Sequence, residues 1–582
     1  MLSANHIKVL CILCWMWPLS VTAQGIQIPA GAYVIANHGN IVTKYNWTNN
    51  GKFTHNGGYL VFAGDTQRIN GSKSDTFYNV TVAAGSNTTI VAGGQTLRNV
   101  LKSNGTLHAN NNITLLANAT RTALVDGSGT GNVLGNLTMQ GYLPYGFGYK
   151  YLGSPFQAAT VNELSGEVNL GAAFPSVYRH DENQASNGWI TYTTATDTLK
   201  PMRGYAVQMG IGTSAKTIDL NGVVNNGNVS IALSNTNQTY TKGFNLVSNP
   251  YPSPINWDTT GWTKTNIDNT VYYFDADTSA ADQYGGVYNS YINGVSSDGK
   301  ANNIIPAMQG FFVHVTDGTF PVAGTLGISN AARITTITKT YRQLNGADGI
   351  PLLRLWAGFS GYPLSDPTVI YFPDNASRKF DKTRDALKFM NTSSRVPNLY
   401  SLDASGEKLS INAIPLPDSS TRVALGIQGT QSGSLTFFTT DVSVLPGNLY
   451  CYLHDALTGI YQDLKTNKSY QCQVDAGTHQ QRFSVVFSHK PILQNRPGTE
   501  PATLNDRFQV IGAGRNIRLR FTITTGEKAL IRIINTAGQV LYTKTYSQSG
   551  NYPLNLLLPQ GIYQVVCYMD NNIITRQIFA GE

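Results

Sequence analysis

The chain of 582 residues is long enough for several domains. Charged residues make up only 13% of it, well under the roughly 25% of an ordinary globular protein; Gly, Asn, Thr and Tyr stand in their place, as in β-strands joined by tight turns. No sustained 3.6-residue apolar period occurs, which excludes helix-rich architectures. The net charge of +8 comes from scattered Lys and Arg with no run longer than two, a solvated surface short of carboxylates rather than a nucleic-acid patch.

In chain order, the first expected element is a signal peptide over 1–23. Lys8 precedes an apolar run from Val9 to Leu19, and Val21-Thr22-Ala23 supplies small residues at the cleavage positions, with Gln24 as the mature start. The run is shorter than the roughly 20 residues a membrane span needs and contains Pro18. No later stretch is apolar enough to span a bilayer, so the expectation is export and release from the inner membrane.

Residues 24–140 contain a repeat. Asn87-Thr88-Thr89-Ile90, Asn112-Ile113-Thr114-Leu115 and Asn136-Leu137-Thr138-Met139 recur at steps of 25 and 24 residues. Asn79-Val80-Thr81-Val82 and Asn104-Gly105-Thr106-Leu107 interleave at a step of 25. Fixed periods of this size indicate a solenoid, and short strands with Asn and Gly at the corners indicate a parallel β-helix. In that register Val82 stacks with Leu107, and Ile90 with Leu115 and Met139. The Asn-x-Thr tripeptides also match glycosylation sites, but turn geometry explains their spacing and glycosylation does not.

Residues 141–332 contain a duplication. Gly148 to Phe156 (GYKYLGSPF) matches Gly243 to Tyr251 (GFNLVSNPY), and Pro201 to Val207 (PMRGYAV) matches Ala307 to Val313 (AMQGFFV). Each copy runs strand, Pro-containing turn, excursion and Gly-led aromatic strand, which predicts two related β-units with Pro155 and Pro250 in equivalent turns. The second excursion is rich in aromatics, and Trp257, Trp262, Tyr284, Tyr288 and Tyr291 are candidates for a ligand surface, with a core role as the alternative. Residues 336–490 read as a β-sandwich of short alternating strands. A polar, Pro-bearing linker over 491–506 precedes a compact run of strands over 507–582.

The stretch Gly243 to Asp258, followed by Met308 to Val313, resembles a motif of large secreted surface proteins of the Bacteroidetes. The third module, with Thr368 to Phe372 and Gln481 to Val485, is similar to the region carboxy-terminal to that motif in those proteins. Ile531 to Ile534, the turn Asn535-Thr536-Ala537-Gly538, Val540 to Tyr542 and Pro559 to Val566 together resemble the type A carboxy-terminal sorting domain of type IX secretion cargo. Gly538 corresponds to that family's turn glycine, and Gly561 and Tyr563 to its Gly-x-Tyr; Gln577 stands where the family usually has Lys. The resemblance implies a small Ig-like sandwich and the type IX secretion machinery as partner.

Cys451 and Cys472 lie in strand-like alternations close in sequence, and either a disulfide or two separate buried thiols fits that placement. No catalytic signature is present: there is no His-Glu-x-x-His, Gly-x-Ser-x-Gly or phosphate-binding loop. Asp275, Asp277 and Asp282 are spaced loosely like a calcium loop but lack its Gly and Glu, and read as a solvated loop, so no metal or cofactor is expected. The whole is therefore expected to be all-β and non-enzymatic: a parallel β-helix-like solenoid, a duplicated β module, a β-sandwich and a small carboxy-terminal sandwich. The favoured function is an adhesin-like or structural surface protein whose partners are surface glycans or other cells and not nucleic acid. A glycan-binding surface protein is the first alternative, and a cryptic polysaccharide-active enzyme the second.

Overall fold

The computed structural model describes residues 25–277, 283–335, 350–442, 445–492 and, with short interruptions, 507–580. The signal peptide, Asp282 and most of the 491–506 linker lie outside the described residues. The chain is all-β, and its helical elements among the described residues are the short 3-10 turns Val161–Leu164 and Asn330–Ala332.

The solenoid makes about five turns of parallel strands on three faces. The first face stacks Ile26–Ile28, Trp47–Asn49, Gln67–Asn70, Asn87–Ile90, Thr106–His108 and Asn132–Leu134. The longer strands Thr76–Val82 and Gln95–Ser103 bend. Their first halves join the face of Lys52–His55 and Ile113–Leu115, and their second halves join that of Tyr59–Phe62 and Leu124–Val125. Strand alternation points every second side chain inward, so Phe77, Leu97, Leu115 and Met139 form one buried column. Leu60, Val80, Leu101 and Val125 form another. Corners require left-handed backbone, supplied by Asn110, Asn111 and several glycines. At Gly58 a Cβ would come within 2.0 Å of the Gly39 carbonyl oxygen.

The register differs from the one expected. Leu115 does pair with Met139, but Ile90 stacks on Ile69 on the first face, and Leu107 on Thr88. Val82 lies on the third face opposite Ser103. Coil length between register partners runs from 18 residues, Leu97 to Leu115, to 26, Leu107 to Val133. The backbone ladder fixes the stacking while corners absorb extra residues, so a constant step in sequence drifts from one face to the next. The last coil strand, Leu137–Leu143, pairs antiparallel with Lys216–Gly222, which ends the parallel run.

The duplication is visible in register. In the first copy Tyr149–Leu152 pairs with Tyr205–Gln208, with Leu152 opposite Tyr205. In the second, Phe244–Ser248 pairs with Gly310–His314, with the equivalent Val247 opposite Phe311. Both sheets continue in the same order, through Val177–His180 to Trp189–Thr191 and through Val271–Ala276 to Gly286–Ile292. The Pro turns match as well: the Phe156 amide donates to Ser154 Oγ, and the Tyr251 amide to Asn249 Oδ1. The copies grip each other reciprocally. The Gly153 amide donates to the Met308 carbonyl at 3.0 Å, and the Ser248 amide to the equivalent Met202 carbonyl at 2.9 Å. Met202 and Met308 are both left-handed, with φ of 59° and 63°, and both are buried.

Residues 352–488 form a mixed sheet that folds over on itself. Phe437 and Phe483, from strands far apart in that sheet, meet at 4.8 Å in a core with Leu353, Leu355 and Leu425. Cys451 and Cys472 form no disulfide. Their strands, Tyr450–Asp455 and Ser469–Val474, lie toward opposite margins of the strand order, so nearness in sequence does not bring the sulfurs together. Burial pushes the Cys451 thiol well up.

By its contacts the chain divides into two compact units, one of residues 1–453 and 462–489, the other of 454–461 and 490–582. The second holds a three-stranded sheet, Phe508–Ile511, Arg518–Phe521 and Gly550–Pro553, and a four-stranded sheet of Val540–Tyr546, Ala529–Asn535, Gly561–Met569 and Asn572–Ala580. Phe508, Leu519, Phe521, Ile531, Ile533 and Val565 form its core.

Candidate functional site

Alternation along Tyr149–Leu152 puts Tyr149 and Tyr151 on one face. Tyr178 and Trp189 come from the two strands that lie beyond Tyr205–Gln208 in that sheet, and Phe274 and Tyr288, cross-strand partners, from the second copy. Together they line a cavity of about 290 Å³ where the two copies adjoin. Its rim is a closed circuit of four rings. Tyr149 lies 6.3 Å from Tyr178, Tyr178 6.3 Å from Phe174, Phe174 4.9 Å from Tyr284, and Tyr284 6.2 Å from Tyr149. Phe174 and Tyr284 are 53% and 44% exposed, unusual for large apolar rings with so many aromatic neighbours.

Below the rim, Tyr151 stacks on Phe274 at 4.8 Å, and its hydroxyl meets that of Tyr288 at 2.7 Å. Burial pushes both hydroxyls far above the usual tyrosine range, so they stay neutral. Asn187 and Thr392 add an amide and a hydroxyl to the lining, and among the described residues the lining holds no charged side chain. His180, packed behind Trp189 at 5.1 Å, is held down to about 4 by burial and stays neutral too. Such a lining can stack and hydrogen-bond a ligand but supplies no acid–base pair at neutral pH.

The five aromatics singled out by composition fall in two places. Tyr284 and Tyr288 belong to the cavity, at its rim and floor. Trp257 and Tyr291 are buried in the core of the second copy with Trp262 packed against them. There the Trp257 indole donates to the Asn269 carbonyl under the Lys264 ammonium, 3.6 Å from the ring. Tyr149, Tyr151, Phe174, Tyr178 and Trp189 were missed. The signal was in the duplication, since Tyr178 and Tyr272 hold equivalent places opposite Ala206 and Phe312.

Asp275 accepts from the Asn289 amide at 2.8 Å, and Asp277, buried, accepts from Ser393 Oγ and the Tyr362 hydroxyl. Among the described residues no group of three or more His, Cys, Asp or Glu could hold a metal ion. In the carboxy-terminal unit Gly538 is left-handed, φ 83°, in the turn closed by Asn535 and Gln539. The Tyr563 hydroxyl donates to the Pro559 carbonyl at 2.7 Å. A Cβ on Gly561 would meet the Tyr563 ring no closer than 3.8 Å, so space alone does not require glycine there.

No curated protein matches the chain. Among solved structures, one named "Biofilm associated protein - BSP domain" aligns over 76% of this chain and 92% of its own, at 10% identity and a TM-score of 0.11, a likeness that carries no argument. A family model described as a domain of unknown function (DUF8693) matches residues 36–487, from the first solenoid coils to the last strand of the folded-over sheet. The chain belongs to the DUF8693 family.

Proposed function

We propose that this is a non-enzymatic, adhesin-like or structural protein of the bacterial cell surface, exported by the type IX secretion system through its carboxy-terminal domain. The observation that carries the reading is the separate compact unit over 490–582, a two-sheet β fold with Gly538 at its hairpin turn and Tyr563 in its core, as the resemblance to a sorting domain implies. Deleting Arg507 to Glu582 should trap the protein in the periplasm, as read by fractionation and surface proteolysis of the native host. Normal surface levels of the truncated chain would refute the sorting assignment.

A second reading, glycan binding at the surface, is favoured by the four-ring rim with its two exposed aromatics. Aromatic faces stack on the apolar faces of sugar rings, and Asn187 and Thr392 offer partners for hydroxyls. A glycan array should then give hits that the double variant Phe174→Ala/Tyr284→Ala loses. An array without hits, or hits the variant keeps, returns the cavity to a packing role.

A further inference from the structure

The solenoid carries a second cleft, built by a departure from its own repeat. After Ile113–Leu115 the chain makes an antiparallel hairpin, Ala117–Asn118 with Arg121–Thr122, before rejoining the third face at Leu124–Val125. Excursions from a regular solenoid gather on one side and commonly carry recognition. This hairpin walls a cleft of about 490 Å³ that is also lined by Asn56, Tyr78, Arg98 and Gln140.

Two guanidinium groups face it. Arg121 lies over the Tyr78 ring, 5.2 Å from its centroid, and Arg98 stands on the exposed side of Gln95–Ser103. Among the described residues no Asp or Glu lines the cleft, and neither arginine has an ion-pair partner. Of the solenoid's three acids none lines the cleft: Asp126 lies 3.6 Å from Lys102, Asp75 is buried against Trp47 and Asn49, and Asp65 is exposed outside it. The amides are half used. Asn118 Oδ1 accepts from the Thr120 and Arg121 amides, Gln140 Oε1 from the Ala117 amide, and Asn56 Nδ2 donates to Asn37. The other polar atom of each side chain is left for a ligand.

Two guanidiniums without a counter-ion suit a planar or tetrahedral oxyanion, which accepts their forked donors. Three spare amide groups suit a polyol beside that anion better than an apolar body. We propose that this cleft binds an acidic sugar residue of a glycan, its carboxylate or sulfate held by Arg98 and Arg121 and its hydroxyls by Asn56, Asn118 and Gln140. The site is separate from the aromatic cavity and does not depend on what that cavity binds.

The test is calorimetry of the full chain with three probes of equal length: an oligogalacturonate, a sulfated galactan oligosaccharide and the neutral galactan oligosaccharide. An acidic probe should bind, more weakly at high salt, and the neutral one should not. Preference between the two acidic probes identifies carboxylate or sulfate as the anion. Arg98→Gln/Arg121→Gln should weaken binding about tenfold or more, the loss of charge-assisted hydrogen bonds. Arg68→Gln/Lys73→Gln removes the same charge from exposed solenoid positions outside the cleft and should leave affinity nearly unchanged. Unaltered melting curves certify that both variants fold. Silence with both acidic probes, equal losses from the two double variants, or full affinity in Arg98→Gln/Arg121→Gln overturns the proposal.

Discussion

Inside the solenoid, Asp75 sits fully buried, its backbone amide donating to Gln95 Oε1 of the next coil at 2.9 Å. The Trp47 indole donates to its Oδ2 at 2.8 Å and the Asn49 amide to its Oδ1 at 2.5 Å. Burial nevertheless pushes the carboxyl up to about 6, the two hydrogen bonds pulling the other way. The folded carboxyl therefore takes up a proton before the unfolded one, whose value is near 3.8. Its ionised form burdens the fold above about pH 6, and stability is recovered as pH falls from 6 toward 4, by roughly 3 kcal/mol. Thermal melts of wild type and Asp75→Asn at pH 7 and pH 4.5 should show wild type gaining on the variant at the lower pH; parallel behaviour would remove Asp75 as the source. Leu115 and Thr114 make a second residue-scale contrast. Leu115 is 0% exposed between Leu97 and Met139, whereas Thr114 is only half-buried between Thr96 and Thr138. Leu115→Ala should cost about 2–5 kcal/mol and Thr114→Ala about 0.5 kcal/mol in chemical denaturation. Equal costs would contradict the inward column.

At the level of elements, one carboxylate ties the two copies of the duplicated module. Glu182, 1% exposed, follows the strand Val177–His180 of the first copy. Its carboxylate accepts from the Thr236 amide at 3.0 Å, the Gly243 amide at 3.1 Å and the Thr236 hydroxyl, holding the segment that leads into the second copy. Glu182→Ala strands two amide donors away from water and should cost about 3 kcal/mol. Glu182→Gln, which keeps one accepting oxygen, should cost less, and a hydrogen-exchange measurement should localise the loosening to residues 234–243. Protection unchanged there would mean that other contacts hold the segment. Both the repeat motif and the duplication were legible in sequence, but with different precision. The duplicated strands kept their register because each copy closes its own sheet. The solenoid repeat drifted because its corners vary in length. Cys451 and Cys472 illustrate the same limit: proximity along the chain says nothing about which strands a folded-over sheet makes neighbours.

For the whole molecule, two compact units with separate cores should unfold separately. Calorimetry of the full chain should resolve at least two transitions. Phe521→Ala, in the core of the carboxy-terminal unit, should lower the smaller one by about 3–5 kcal/mol and leave the larger in place. A single transition shifted as a whole would show the units to be coupled.

The sequence by itself determined the all-β class, the solenoid, the duplication and the carboxy-terminal β unit. Each of these comes from local alternation, turn residues or a repeated string, which need no knowledge of distant partners. Tertiary structure alone decided which aromatics are core and which line a cavity. Trp257 and Tyr284 lie in the same aromatic-rich excursion, yet one is 0% and the other 44% exposed. Side-chain type predicts a wish to be buried, but the packing of one β-unit against its copy decides whose rings the neighbour covers. The cleft at Arg98 and Arg121 was hidden for a related reason. Its two charges are 23 positions apart in a chain whose basic residues are scattered, and only the stacking of one coil against the next, with a hairpin inserted between, brings them to one side.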